Sequence, residues 1–126
     1  MSSQIIIVKG KVKAGLGQGR KLGFATINIA VPGQIKKPDW GVYFSLVKIG
    51  DKFYPGLTHL GPPKTFSLRK ATCETHLFTF SGDFYGLAVK KWLLFKFREV
   101  QKFDEAAQLK KQIKKDLKAA KKYFGI

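Results

Sequence analysis

Thr26 and Asn28 stand two residues apart in the run Phe24–Ile29, just after a stretch where Gly15, Gly17 and Gly19 alternate and Arg20 and Lys21 follow. If that run is a strand, alternation puts Phe24, Thr26 and Asn28 on one face and Ala25, Ile27 and Ile29 on the other. A hydroxyl and an amide then project side by side from the end of a basic, glycine-rich loop. Mg²⁺ accepts neutral oxygen ligands of this kind when a substrate's phosphates bring the negative charge. Such a pair can equally satisfy neighbouring backbone groups, and spacing alone leaves both roles open. Neither G-x-x-x-x-G-K-[ST] nor G-x-G-x-x-G fits the stretch, and it leads into a strand where both of those motifs open a helix.

With only 8 acidic residues, the choice of general base is narrow. Asp51 and Asp83 have the surroundings of turn residues, and Asp104 and Glu105 those of a helix start. Glu74 differs: in Thr72–Phe80 it shares a strand face with His76, Phe78 and Phe80, while Cys73, Thr75, Leu77 and Thr79 take the other face. A carboxylate among phenylalanines is costly unless it is paired or used; a solvent-facing position at a strand start is the bland alternative. Cys73 and His76 point to opposite faces, which disfavours a nucleophile–base pair, and a zinc site lacks further ligands. His59 is expected to be a satisfied strand histidine.

The elements that must position these groups are mostly strands. Ile5–Lys13, Phe24–Ala30, Gly41–Ile49, Lys52–Leu60, Thr72–Phe80 and Phe84–Phe97 are rich in β-branched and aromatic residues and punctuated by turn signals. The short Ser81–Asp83 turn predicts an antiparallel hairpin between its flanking strands. No helical stretch separates the strands, so a small antiparallel barrel is expected rather than βαβ units. The period then changes: Ala106, Leu109, Ile113, Leu117, Ala120 and Phe124 form one helical stripe, with Asp104 as N-cap and Gly125 as terminator. The expectation is a single domain over 1–126, with the barrel at about 4–100 and the helix at about 104–123. Gly61–Lys70, long and basic, is a candidate lid.

Composition limits the function classes. The chain is 44% hydrophobic, which argues for a packed core and against disorder. No apolar run reaches membrane-spanning length, no secretory signal is visible, and the single cysteine suits a reducing cytoplasm. Lys and Arg number 24, for a net charge of +16, which draws polyanions, from phosphorylated small molecules up to nucleic acids. A basic barrel that holds single-stranded nucleic acid is therefore the alternative to an enzyme.

One resemblance weighs these possibilities. Gly10-x-Val12-x-x-Gly15-x-x-x-Gly19-Arg20-x-Leu22-Gly23-Phe24-x-Thr26-x-Asn28-Ile29 resembles the signature of the riboflavin kinase (flavokinase) family, G-x-V-x-x-G-x-x-x-G-R-x-L-G-F-P-T-A-N-I. The likeness continues through Gly41-Val42-Tyr43, Leu60-Gly61, Glu74-Thr75-His76 and Asp83-Phe84-Tyr85-Gly86. It ends in Arg98, Phe103-Asp104 and the helix pattern Leu109, Gln112, Ile113, Asp116. It implies a six-stranded antiparallel Greek-key barrel with a C-terminal α-helix packed on it. It also implies transfer of the ATP γ-phosphoryl group to the 5′-hydroxyl of riboflavin, with Mg²⁺, giving FMN. By position, Thr26 and Asn28 hold metal and phosphates and Glu74 is the catalytic base. Gly15, Gly19, Arg20 and Lys21 form a flap over the nucleotide, and Phe84, Tyr85 and Gly86 lie near its adenine. Arg98, Phe103 and Asp116 border the flavin. The expected partners are riboflavin and ATP, with no specific nucleic acid and no membrane, for a monomer without room for an upstream adenylyltransferase domain. Ala25, Lys64 and Val100 depart from the family pattern, while Thr26, Asn28 and Glu74 keep it.

Overall fold

A computed structural model describes residues 5–13, 26–31, 35–61, 71–78 and 84–126. Six strands, β1 (Ile6–Lys11), β2 (Thr26–Ala30), β3 (Gly41–Ile49), β4 (Lys52–Gly61), β5 (Thr72–Leu77) and β6 (Ala88–Arg98), precede one helix, α1 (Ala106–Phe124). They form one sheet in the order β1-β6-β3-β4-β5-β2, with every pairing antiparallel. β3, β4 and β5 follow one another, and β6 returns beside β3, which is Greek-key order. The sheet curls until its two edges approach, where the Lys13 amide donates to the Asn28 carbonyl at 2.7 Å.

Alternation divides each strand between two cores. Val8, Ile27, Ile29, Val47, Leu60, Cys73, Val89 and Leu93 fill the concave interior. Ser45, Thr58 and Thr75 are fully buried there as well, and satisfy one another through a hydroxyl chain whose Thr58–Thr75 link is 2.6 Å. On the convex face, α1 lays Leu117, Ala120 and Phe124 over Val42, Phe44, Leu57 and Phe78. The apolar helical stripe foreseen from the sequence is the docking surface towards its C-terminal end, while Ala106 at its start is exposed, and Gly125 closes the helix in the left-handed region, φ 75°.

Three expectations need correction. β5 and β6 do not form a hairpin, because β5 lies between β4 and β2 while β6 lies between β1 and β3. The residues from Phe84 to Leu87 are a turn rather than the start of a strand: Leu87 N–H donates to the Phe84 carbonyl at 3.0 Å. The chain here crosses to the opposite sheet edge, where the Val12 N–H and carbonyl bond Leu87 and Gly86, both at 2.9 Å. Finally, the cap position of α1 is Glu105, not Asp104, with no side-chain capping bond.

Candidate active site

Long-range strand pairing brings the chemistry-bearing residues together. In β2·β5, Asn28 is the direct partner of Glu74 and Thr26 of His76; in β4·β5, His59 is the partner of Glu74. Directly paired residues project from the same face of a sheet, so these five side chains form one polar cluster on the convex face. His76 Nε2 lies 3.6 Å from Glu74 Oε1, with the side chains 3% and 17% exposed. Asn28 Oδ1 is buried and, among the described residues, has no hydrogen-bond partner. An amide oxygen held this way is costly in isolation and suited to a hard cation or a donor from a ligand. Among the described residues no three His, Cys, Asp or Glu side chains cluster as a metal site, so a cation here would depend on neutral oxygens and on phosphates.

Beneath this cluster, on the concave side, lies a group that the sequence reading did not single out. Lys91 is fully buried, and its Nζ donates to the carbonyls of Ile27 at 2.9 Å and Cys73 at 3.0 Å. Ile27 sits between Thr26 and Asn28, and Cys73 precedes Glu74, so one ammonium ties the site's two strands together from behind. Burial holds Lys91 below its ordinary value of 10.5, with Cys73 and Glu74 pulling it partly back. Burial likewise pushes the Cys73 thiol above 9.0, against the influence of Lys91. The signal was present in the period of two, which puts Lys91 in phase with inward Val89 and Leu93. Cys73 faces inward and His76 outward, so they diverge as expected.

The remaining predicted residues fall in two places. Phe84, Tyr85 and Gly86 form the turn bonded to Val12, one residue before Lys13 meets Asn28. Gly86 has φ +82°, a conformation a side chain would strain, and Tyr85 is exposed. Arg98 lies further away, since the lateral row Arg98, Val42, His59, Glu74 and Asn28 runs across five strands. Three strand spacings separate Arg98 from Glu74, roughly 14 Å along the sheet. Arg98 Nε and a terminal nitrogen grip the Asp116 carboxylate at 2.7–3.2 Å, and Gln112 Nε2 adds a bond at 2.9 Å. Asp116 is 1% exposed and fully engaged, which pins α1 to β6. Phe103 is half-buried in the segment before α1. Gly15, Gly19, Arg20 and Lys21 lie outside the described residues, as do Ala25, Lys64 and the candidate lid beyond Gly61. Val100 packs where a Cβ on Gly61 would come within 2.9 Å of it, and Glu99 pairs with Lys96 at 2.7 Å.

The family model for flavokinase, described as riboflavin kinase, matches residues 3–124. The chain belongs to the riboflavin kinase family. A Bacillus subtilis relative, named RNA-binding riboflavin kinase RibR, is 40% identical over 121 residues, covering 95% of this chain and 52% of that protein. A Streptococcus pneumoniae crystal structure described as a macrolide-efflux protein superposes with a TM-score of 0.78 at 31% identity, over 91% of this chain and 38% of that one. The crystal structure of riboflavin kinase from Trypanosoma brucei gives 0.66 at 25% identity, over 99% and 83%. The curled six-stranded sheet with one C-terminal helix is thus the riboflavin kinase fold. The chain spans from 18% to about half (52%) of the length of the curated relatives it matches. Among the described residues no helix is long and apolar enough to cross a membrane.

Proposed function

We infer that this riboflavin kinase family member transfers the γ-phosphoryl group of ATP to the 5′-hydroxyl of riboflavin, giving FMN. The observation that carries the reading is the pairing of Asn28 with Glu74, with a buried amide oxygen beside a carboxylate. Phosphoryl transfer asks a protein mainly for positioning and charge neutralisation, plus one acceptor for the hydroxyl proton. Glu74 is the only carboxylate in the cluster, and the role assigned to it is to take that proton as the ribityl oxygen attacks. His76 and His59 flank it and orient it. The orphaned Asn28 Oδ1 and the Thr26 hydroxyl fit a divalent ion, which we take to be Mg²⁺; when bound it neutralises charge on the phosphate oxygens. The Tyr85–Gly86 turn is assigned to the adenine end and Arg98, steadied by Asp116, to the flavin end, with Phe103 alongside. Gly15 to Lys21 is assigned to the nucleotide flap. The residues assigned these roles all lie on one chain, which suits a monomer, and buried Cys73 suits the cytoplasm. Incubation with riboflavin and MgATP, followed by chromatography, tests the assignment: FMN should form, and its absence with folded protein would refute it.

A further inference from the structure

The convex face has a second, differently built region at the other end of β3. Lys9 of β1 is the direct partner of Lys90 of β6, Lys90 of Lys48 of β3, and Lys48 of Phe53 of β4. Three like charges therefore stand directly opposite one another on adjacent strands, two strand spacings or roughly 10 Å from end to end. Such pairs are destabilising. Among the described residues none of the three forms an ion pair. The rings beside them are part of the same surface. Lys90 Nζ lies 4.8 Å from the Trp92 ring centroid, Lys48 Nζ 5.7 Å from that of Phe53, and the two rings are 5.9 Å apart. Phe53 is 53% exposed. Along β3 this row is six residues from Val42 in the candidate active-site row, roughly 20 Å.

We propose that this row is a binding surface for single-stranded nucleic acid, separate from the kinase site. Phosphates sit on Lys9, Lys48 and Lys90, and an unstacked base rests on the Trp92–Phe53 pair. The charge row calls for a polyanion, and the rings among the ammonium groups select one that offers flat faces at the same spacing as its charge. A duplex hides those faces and a lipid headgroup has none. The binding is sequence-neutral, since charge and stacking carry it without reading base edges.

The probe is a labelled oligouridylate, titrated by fluorescence anisotropy over a range of salt. Three neutralised phosphates give a slope of log affinity against log salt of about −2, so affinity falls about 20-fold between 50 and 200 mM. The triple variant Lys9→Gln/Lys48→Gln/Lys90→Gln should flatten that slope, and Phe53→Leu should weaken binding about fivefold or more. A matched control, Lys110→Gln/Lys114→Gln/Lys118→Gln on exposed positions of α1, should keep slope and affinity near wild type. Circular dichroism and melting temperature confirm folding of each variant. Equal loss in the helix control would reduce the effect to net charge and overturn the proposal. So would tight binding to phosphatidylserine vesicles, through the same three lysines, with no binding to the oligonucleotide.

Discussion

Replacing Lys91 by methionine and by alanine separates what the buried ammonium contributes from what its stem contributes. The ammonium makes two hydrogen bonds to buried carbonyls. Charged hydrogen bonds contribute about 1.5–3 kcal/mol each, so their loss costs about 3–6 kcal/mol. Relieving the desolvation of an ion returns several kcal/mol, so the two effects nearly cancel. Lys91→Met, which keeps most of the apolar stem, should change unfolding free energy at neutral pH by no more than about 1 kcal/mol. Lys91→Ala also deletes three buried methylenes at about 0.8 kcal/mol each and leaves a cavity, for a loss of about 3–5 kcal/mol. The charge adds a pH signature. The folded value of Lys91 lies below its unfolded 10.5, so the unfolded chain binds more protons between the two values. The stability tied to this group therefore rises with pH up to about 10.5 and is lost as pH falls through the folded value. Urea unfolding of wild type and Lys91→Met, compared at each pH, isolates that slope from the other alkaline titrations. A methionine variant as unstable as the alanine variant, or a difference that does not vary with pH, would refute this balance.

Three further outcomes follow from other parts of the fold. Asn28→Ala removes an unpartnered buried oxygen, so the melting temperature should hold while the MgATP concentration for half-maximal FMN formation rises; a lowered melting temperature with unchanged kinetics would make Asn28 structural. Arg98→Ala strands the buried Asp116 carboxylate and should cost about 3–5 kcal/mol in urea unfolding, with Arg98→Ala/Asp116→Asn recovering a large share. The Tyr43 phenol is pushed up to about 12, by burial first and then by Asp39 and Glu99. The stability it lends is present below pH 10 and lost towards pH 12, so Tyr43→Phe should flatten that limb of the pH–stability curve.

Local patterns made much of this molecule legible. β-branched and aromatic content between turn signals marked β3 to the residue, and the 3- and 4-residue spacing marked the helical face that docks. The Thr26–Asn28 face and the isolated Glu74 could be named from residue types. That Asn28 and Glu74 are partners could not, because they are 46 positions apart and register across non-consecutive strands is set by global curling. The same cause defeated the β5–β6 hairpin: a short turn signal favours a local pairing, and the curled sheet gives both neighbours of each strand to others. Lys91 and Asp116 were opaque for another reason. Each is a charged residue in an inward phase, and charge suggests solvent until its partners, backbone carbonyls for one and Arg98 for the other, are placed by the fold.

We assign Glu74, set against Asn28, to take the proton of the attacking hydroxyl. Single-turnover FMN formation by wild type and Glu74→Gln, with riboflavin binding followed in parallel by flavin fluorescence, tests it most directly. Glutamine keeps the shape and removes the base, and general-base assistance contributes on the order of 10²–10⁴ in rate. The rate should fall within that range while riboflavin and MgATP still bind, and Glu74→Asp, with its carboxylate drawn back by a methylene, should fall between. A Glu74→Gln variant that forms FMN at near wild-type rate would contradict the account.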